Sequence, residues 1–186
     1  MIINHDGVVE YLENYTKFTI EEVSENLVWR NDPITMFGKT YPQPRLTAWH
    51  GEPGLHYTYS KIQMVSPGWT PVLLEIKNQL EIDLKTKFNS VLINYYRNGN
   101  DHMSYHSDDE KELGQNPVVA SLSFGAARFF HLKHRYNNSM PTIKIALASQ
   151  SLLVMKEELQ HFWLHKISKS AKISEPRLNL TYRYIH

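Results

Sequence analysis

The 186-residue chain contains no cysteine. That excludes disulfides, thiolate zinc sites and cysteine nucleophiles. Ten histidines and eleven tyrosines leave metal ligation and aromatic stacking available. No apolar run is long enough to span a membrane. The first residues, Met1-Ile2-Ile3-Asn4-His5-Asp6, lack the cationic start and apolar block of a signal peptide. There is no internal repeat and no low-complexity segment. Net charge is almost absent, at +1, but it hides an asymmetry. Residues 1–112 carry 10 Lys/Arg and 16 Asp/Glu, a balance of −6, and residues 113–186 carry 10 and 3, a balance of +7. From Leu113 to Lys156 there is no acidic residue at all. Such a distribution can give a basic face for a polyanion without a high overall pI, unless folding mixes the two halves.

What is present is ordinary for one soluble domain: 41% hydrophobic and 21% charged residues in a length able to bury a core. Thr19-Ile20-Glu21-Glu22 fits a capping box, with Ile20, Val23 and Leu27 on one face of a short helix ending near Trp29 or Asn31. Residues 31–55, rich in Pro and Gly, read as long loops with at most a hairpin, although they hold Phe37, Tyr41 and Trp49. Tyr57-Thr58-Tyr59 alternates as an edge strand would. Thr70-Pro71 starts a second helix, with Val72, Leu73, Ile76 and Leu80 on its apolar face. From residue 90 onward the pattern is mostly strand: 90–97, 118–124, 127–133, 142–148, 151–155, 160–167 and 178–184. Seven or more short strands separated by turn signals predict a sandwich or barrel.

Two stretches carry chemistry. His106 and Asp108 stand two residues apart at the end of an apolar run that reads as a strand, so they would share a face. With His165, in Gln160-His161-Phe162-Trp163-Leu164-His165, they make a two-histidine, one-carboxylate set. Such a set leaves metal positions open and is typical of non-haem Fe(II) oxygenases. By itself His-x-Asp is common. The second stretch, Arg177-Leu178-Asn179-Leu180-Thr181-Tyr182-Arg183, puts Arg177, Asn179, Thr181 and Arg183 on one strand face. Two guanidinium forks on a buried face need anions, and a dicarboxylate fits them. A solvated strand face with ordinary salt bridges is the other reading.

These motifs, with Leu92-Ile93-Asn94-Tyr95-Tyr96 before them and Ser121-Leu122-Ser123-Phe124-Gly125-Ala126 between them, resemble the AlkB family of Fe(II)- and 2-oxoglutarate-dependent nucleic-acid demethylases. The similarity looks strongest to the homologue-two branch, which repairs double-stranded DNA. The resemblance implies a mainly β fold with flanking α-helices around a double-stranded β-helix, or jelly-roll, core. It implies one dioxygenase domain over 1–186, with a nucleotide-recognition lid and wedge at about 31–60 and the catalytic core at 90–186. His106, Asp108 and His165 would hold Fe(II). Asn94, Tyr96, Arg177, Asn179 and Arg183 would contact 2-oxoglutarate, Arg183 gripping its distal carboxylate and Arg177 reaching toward the metal end or Asp108. His161, of the same strand parity as His165, would lie behind the ligands or be packed. With O2, such an enzyme hydroxylates an N-methyl group of 1-methyladenine or 3-methylcytosine and releases formaldehyde, succinate and CO2.

A methylated pairing edge is reached by flipping the nucleotide, which costs about a few kcal/mol and least for a damaged base. By resemblance, Met36-Phe37-Gly38 would be a wedge hairpin, with Phe37 filling the gap in the stack. Tyr59 and His106 would sandwich the flipped base, with Tyr57 nearby and Arg45 near the lesion. Glu110 would accept a hydrogen bond from an exocyclic amine. Arg128, Lys133, His134 and Arg135 would meet phosphates, which position a duplex without reading its sequence. Where the homologue-two branch has three consecutive basic residues before the arginine motif, this chain has Ser170-Ala171-Lys172. The expected partner is alkylated DNA, double- or single-stranded, with RNA left open. The expected state is an intracellular monomer away from membranes, cytoplasmic in a bacterium or nuclear in a eukaryote. The same iron chemistry on a substrate other than nucleic acid, or a non-catalytic nucleic-acid binder, are the alternatives.

Overall fold

In the computed structural model the described backbone comprises residues 1–36, 39–59 and 62–186, and side chains are described outside 34–40 and 57–64. Phe37 therefore lies outside the described residues, as do the side chains of Tyr57 and Tyr59.

The chain begins with β1 (Ile3–Asn4) and β2 (Val8–Leu12), then α1 (Ile20–Ser24), β3 (Ile34–Met36), β4 (Lys39–Tyr41), β5 (Leu46–Gly51), β6 (His56–Tyr59) and β7 (Ile62–Val65). Helix α2 (Pro71–Leu84) precedes β8 (Ser90–Tyr96) and β9 (Met103–His106). After a 3₁₀ turn at Lys111–Leu113 come β10 (Val119–Gly125), β11 (Arg128–His134), β12 (Ile143–Leu147) and β13 (Ser151–Lys156). One helical turn, α3 (Leu159–Phe162), leads into β14 (Trp163–Ile167), and β15 (Arg177–Arg183) ends the fold. All pairings among the described residues are antiparallel.

A seven-stranded sheet runs β1-β2-β13-β10-β15-β8-β5, and a four-stranded sheet runs β12-β11-β14-β9. This is the expected mainly β jelly roll. Strand periodicity separates two cores. Leu178, Leu180 and Tyr182 of β15, with Ala120, Leu122 and Phe124 of β10, pack against Leu73, Ile76 and Leu80 of α2. The alternate residues face the interior, where Val119, Phe130, Leu132, Leu153, Met155 and Trp163 form a second core between the sheets. Each fully buried aliphatic side chain stabilises by about 1.5–3 kcal/mol.

Both helix starts follow the sequence. Thr19 Oγ1 accepts the Glu22 N–H while the Thr19 N–H donates to Glu22, and Thr70 caps α2 with Pro71 at its first turn. Two expectations fail. Helix α1 stops at Ser24, because Glu25 is extended and Asn26 takes φ +62°, although Leu27 and Trp29 still reach the core. The loop-like region 31–55 contributes β5 to the edge of the large sheet, where it pairs with β8 and buries Trp49. Its tertiary pairing outweighs its Pro and Gly content.

Candidate active site

The interior face of the large sheet becomes polar across three neighbouring strands. The register sets Arg177 opposite Tyr96, Asn179 opposite Asn94 and Thr181 opposite Leu92 on β8. On the other side Asn179 faces Ser123 and Thr181 faces Ser121 of β10. Across the cavity, β14 and β9 pair so that His165 lies directly opposite His106. The cavity between the sheets is lined by all of Asn94, Tyr96, His106, Asp108, Glu110, His165, Arg177, Asn179 and Arg183.

One ligand atom each from His106, Asp108 and His165 lie within 4.8 Å of one another. They are the one such group among the described residues. The reason differs from the expected one. Strand β9 ends at His106, so Asp108 sits beyond the strand rather than two residues along it. It is turned inward by Gln160, whose Oε1 accepts the Asp108 backbone N–H at 2.9 Å. Arg183 Nη2 donates to Asp108 Oδ1 at 2.7 Å, leaving Oδ2 3.9 Å from His165 Nε2. Burial alone would push the Asp108 carboxyl up. The Arg183 guanidinium outweighs it and holds the carboxyl below the usual range. Burial also lowers His106 and pushes His165 down to about 3, so both imidazoles are neutral and able to donate a lone pair. His106 Nδ1 lies 2.9 Å from the Ser104 carbonyl, which fixes Nδ1 as the protonated nitrogen and leaves Nε2 as the donor atom. Phe130 stacks on the His165 ring at 5.2 Å.

The two arginines take positions opposite to those expected. Arg183, not Arg177, meets Asp108. Arg177 lies six residues along the same strand, about 20 Å away at the strand rise. It is 1% exposed, its Nη2 donates to Ser123 Oγ at 2.9 Å, and its guanidinium stands 5.2 Å from the Tyr96 ring centre. Burial lowers its pKa to about 10. Its Nε and Nη1 are buried without a hydrogen-bond partner, as are His165 Nδ1 and Glu110 Oε2. Leaving buried charged donors unpaired is costly, so the two Arg177 atoms mark where a ligand fits. An imidazole–carboxylate–imidazole set at one end and a partly unpaired guanidinium at the other suit Fe(II) and an anionic cosubstrate.

Other expected residues divide. Asn179 lines the cavity but is saturated by Ser121, the Leu122 carbonyl and Thr181. Glu110 lines it with its carboxyl raised, chiefly by burial and against the pull of Arg183. Arg45 is buried, its Nε on Asn94 Oδ1 at 2.8 Å, so it is tied to the cavity wall rather than presented to a nucleic-acid strand. Arg128 is buried and spends its donors on the carbonyls of Asn98, Asp101 and Ser168. His134 is buried too, between Asp6 and the backbone N–H groups of Tyr136 and Asn137. Neither can meet phosphate. Arg135 braces the Asp108 loop through Ser107 and Asp109. His161 falls on α3 rather than a strand, is exposed, and pairs with Asn116 away from the cavity. Gln160, Ser121 and Ser123 were given no role from the sequence, although the two serines fall in a motif that carries the resemblance. The two serines alternate with buried apolar residues on β10, a usable signal. Gln160 gave none, since its role depends on the turn of α3.

Comparisons with known proteins agree with this geometry. The 2OG-Fe(II) oxygenase superfamily matches residues 13–183. The chain is 43% identical over 188 residues to the bovine (Bos taurus) alpha-ketoglutarate-dependent dioxygenase alkB homolog 3, covering 97% of this chain and 64% of that protein. It is 37% identical to the human (Homo sapiens) DNA oxidative demethylase ALKBH2, covering 82% of this chain and 60% of that protein. An Arabidopsis thaliana DNA oxidative demethylase ALKBH2 is 30% identical, with 98% and 68% covered. The chain thus spans just under two thirds of the length of the homolog 3 relatives it matches. The higher identities fall on homolog 3, whereas the motifs had pointed to homologue two. Among solved structures, OsALKBH1 superposes with a TM-score of 0.65 at 15% identity, covering 95% of this chain and 96% of that one. A Burkholderia pseudomallei oxidoreductase of the 2OG-Fe(II) oxygenase family gives 0.60 at 14% identity, with 95% and 84% covered.

Proposed function

The chain belongs to the 2OG-Fe(II) oxygenase superfamily, and on that premise we propose that it is an oxidative demethylase of alkylated nucleic acid. The observation that carries this is one cavity with a three-ligand metal set at one end and a buried, partly unpaired guanidinium at the other. His106, Asp108 and His165 would hold Fe(II). Arg177 and Tyr96 would take the distal carboxylate of 2-oxoglutarate, with Asn94 and Asn179 along its length. When bound, iron, cosubstrate and O2 supply hydroxylation of an N-methyl group, which then leaves as formaldehyde.

The chain's own part is to hold this chemistry dry and aligned. Arg183 keeps Asp108 ionised and fixes which oxygen faces the histidines. Gln160 ties the Asp108 backbone to the segment that leads into His165. Glu110, just outside the metal set with an unpartnered oxygen, is suited to an exocyclic amino group or a cationic methylated base. That supports 1-methyladenine and 3-methylcytosine as substrates. In this reading Tyr59 and His106 would sandwich the base, with Tyr57 nearby, and Phe37 would fill the gap it leaves. Phe37→Ala would then impair repair in duplex far more than in single strands, and equal loss on both would reject the wedge.

The test is anaerobic addition of Fe(II) and 2-oxoglutarate, then O2 and a panel of methylated oligonucleotides, single- and double-stranded, DNA and RNA. Formaldehyde and succinate released together with an unmodified base support the reading. Cosubstrate turnover that no methylated oligonucleotide stimulates would overturn it.

A further inference from the structure

The four-stranded sheet has a second face, turned away from the cavity. Its strands, Met103–His106, Arg128–His134, Ile143–Leu147 and Trp163–Ile167, contain no Asp or Glu. Phe130, Leu132, Ile145, Leu147, Trp163, His165 and Ile167 point inward and are buried. The alternate positions point out. The register aligns Lys144, His131 and Lys166 in one row across three strands, a row about 10 Å long at the usual strand spacing. Tyr105 continues the row, with the Lys166 ammonium 4.4 Å from its ring centre. Lys133 stands two residues from His131, about 7 Å along the strand. On its other side Phe129 is 59% exposed. Lys133 and Lys144 are exposed and have no carboxylate partner among the described residues. The field there is of one sign: after burial itself, Lys166 and Lys144 are what lower the His131 pKa.

We propose that this outer face is a docking surface for single-stranded nucleic acid, distinct from the cavity. Three ammonium groups with no acidic neighbour on the sheet complement a phosphate backbone. An exposed phenyl ring on the outer face of the sheet adds a platform on which an unstacked base can lie, which a closed duplex cannot offer. The surface shares β14 with the metal set: His165 faces the cavity and Lys166 the outside. A strand held on the outer face thus runs over the element that carries a metal ligand. The inference extends the nucleic-acid reading of the cavity, but binding at this face needs no turnover.

The experiment is a fluorescence-anisotropy titration of the intact chain with an unmodified single-stranded oligonucleotide and its duplex, at several salt concentrations. Lys133→Glu/Lys144→Glu should weaken single-strand binding about tenfold or more. It should also flatten the log–log salt slope by about 0.7 for each phosphate that is no longer neutralised. Phe129→Ser should weaken single-strand binding by about 5- to 100-fold, the range of a removed base–aromatic stack, and leave duplex binding nearly unchanged. All three side chains are exposed, so melting curves should match wild type; if the charge-reversed variant does not fold, Lys133→Gln/Lys144→Gln takes its place. Unchanged affinity and slope in the lysine variant overturn the surface, and equal loss on duplex in the phenylalanine variant overturns the single-strand assignment. Normal oligonucleotide binding without demethylation would sink the catalytic reading and leave this surface standing. Normal demethylation with unaltered binding by both variants would do the reverse.

Discussion

The two faces of β15 are built from the same seven residues and obey opposite rules. Leu178, Leu180 and Tyr182 point to the α2 side, fully buried, and the one polar atom among them, the Tyr182 hydroxyl, donates to the Leu73 carbonyl. Arg177, Asn179, Thr181 and Arg183 point into the cavity, nearly as buried, yet Arg177 keeps two donors without partners. A chain selected only to fold would not carry such a face, because apolar residues of similar volume are often as stable or more so. The difference teaches which face serves the fold and which serves a ligand.

The largest effect expected from breaking this division is at the metal set. Asp108→Ala removes the one anionic member of the proposed metal set and should cut turnover by about three orders of magnitude or more, several kcal/mol of lost metal chemistry. Turnover and Fe(II) affinity measured together check this, and wild-type values for both would remove Asp108 from the site. On the opposite face, Leu180→Ala should cost about 3 kcal/mol of unfolding free energy in urea, as a cavity in a closed core does. The folded fraction should keep its KM for 2-oxoglutarate within about twofold, since Leu180 belongs to the helix-side core rather than the cavity lining. A large rise in that KM would show that the faces are not separable.

The smallest effect lies in the helical cover. Burial alone would raise the Glu81 carboxyl. The Phe88 backbone N–H and the Lys87 and Lys77 ammonium groups outweigh it and hold it below its usual value. A depressed folded-state pKa means a contribution fully present above the unfolded value of about 4.3 and lost as pH falls through the folded one. Glu81→Gln should therefore cost about 1 kcal/mol near neutral pH. Urea melts of the two proteins should converge in acid; a constant gap across pH would contradict the linkage.

Most strands from β8 onward were legible from apolar or alternating runs between turns marked by Gly, Asn and Pro, but β9 was not among those expected and α3 takes the start of the expected 160–167 strand. The candidate metal set was legible through the His-x-Asp spacing and the family resemblance, although Asp108 lies beyond β9 and His165 in the middle of β14. What escaped depends on geometry that residue spacing does not encode. Which arginine meets Asp108 depends on where the loop after β9 lies relative to β15, and the resemblance had implied the reverse. Arg128 and His134 looked like phosphate contacts because both are cationic types in an acid-free stretch. Their parity on β11 turns them inward, where carbonyls and Asp6 consume them. Parity also leaves Lys133 on the outside, so counting alternate residues from the buried Leu132 would have separated them.

The central claim is that the unpaired donors of Arg177 exist for a carboxylate. It is tested most directly by calorimetric titration of 2-oxoglutarate, without O2, into the Fe(II)-loaded wild type and Arg177→Met, with the melting curve of each metal-free protein alongside. Losing one partner of a buried charge pair costs about 2–5 kcal/mol, so the account predicts affinity weakened by about 30-fold or more in the variant. It also predicts a metal-free variant that melts no lower than wild type, because a buried, partly unpaired charge has been removed. Equal affinities, or a variant that binds normally but melts well below wild type, would show that Arg177 serves the fold and not the cosubstrate.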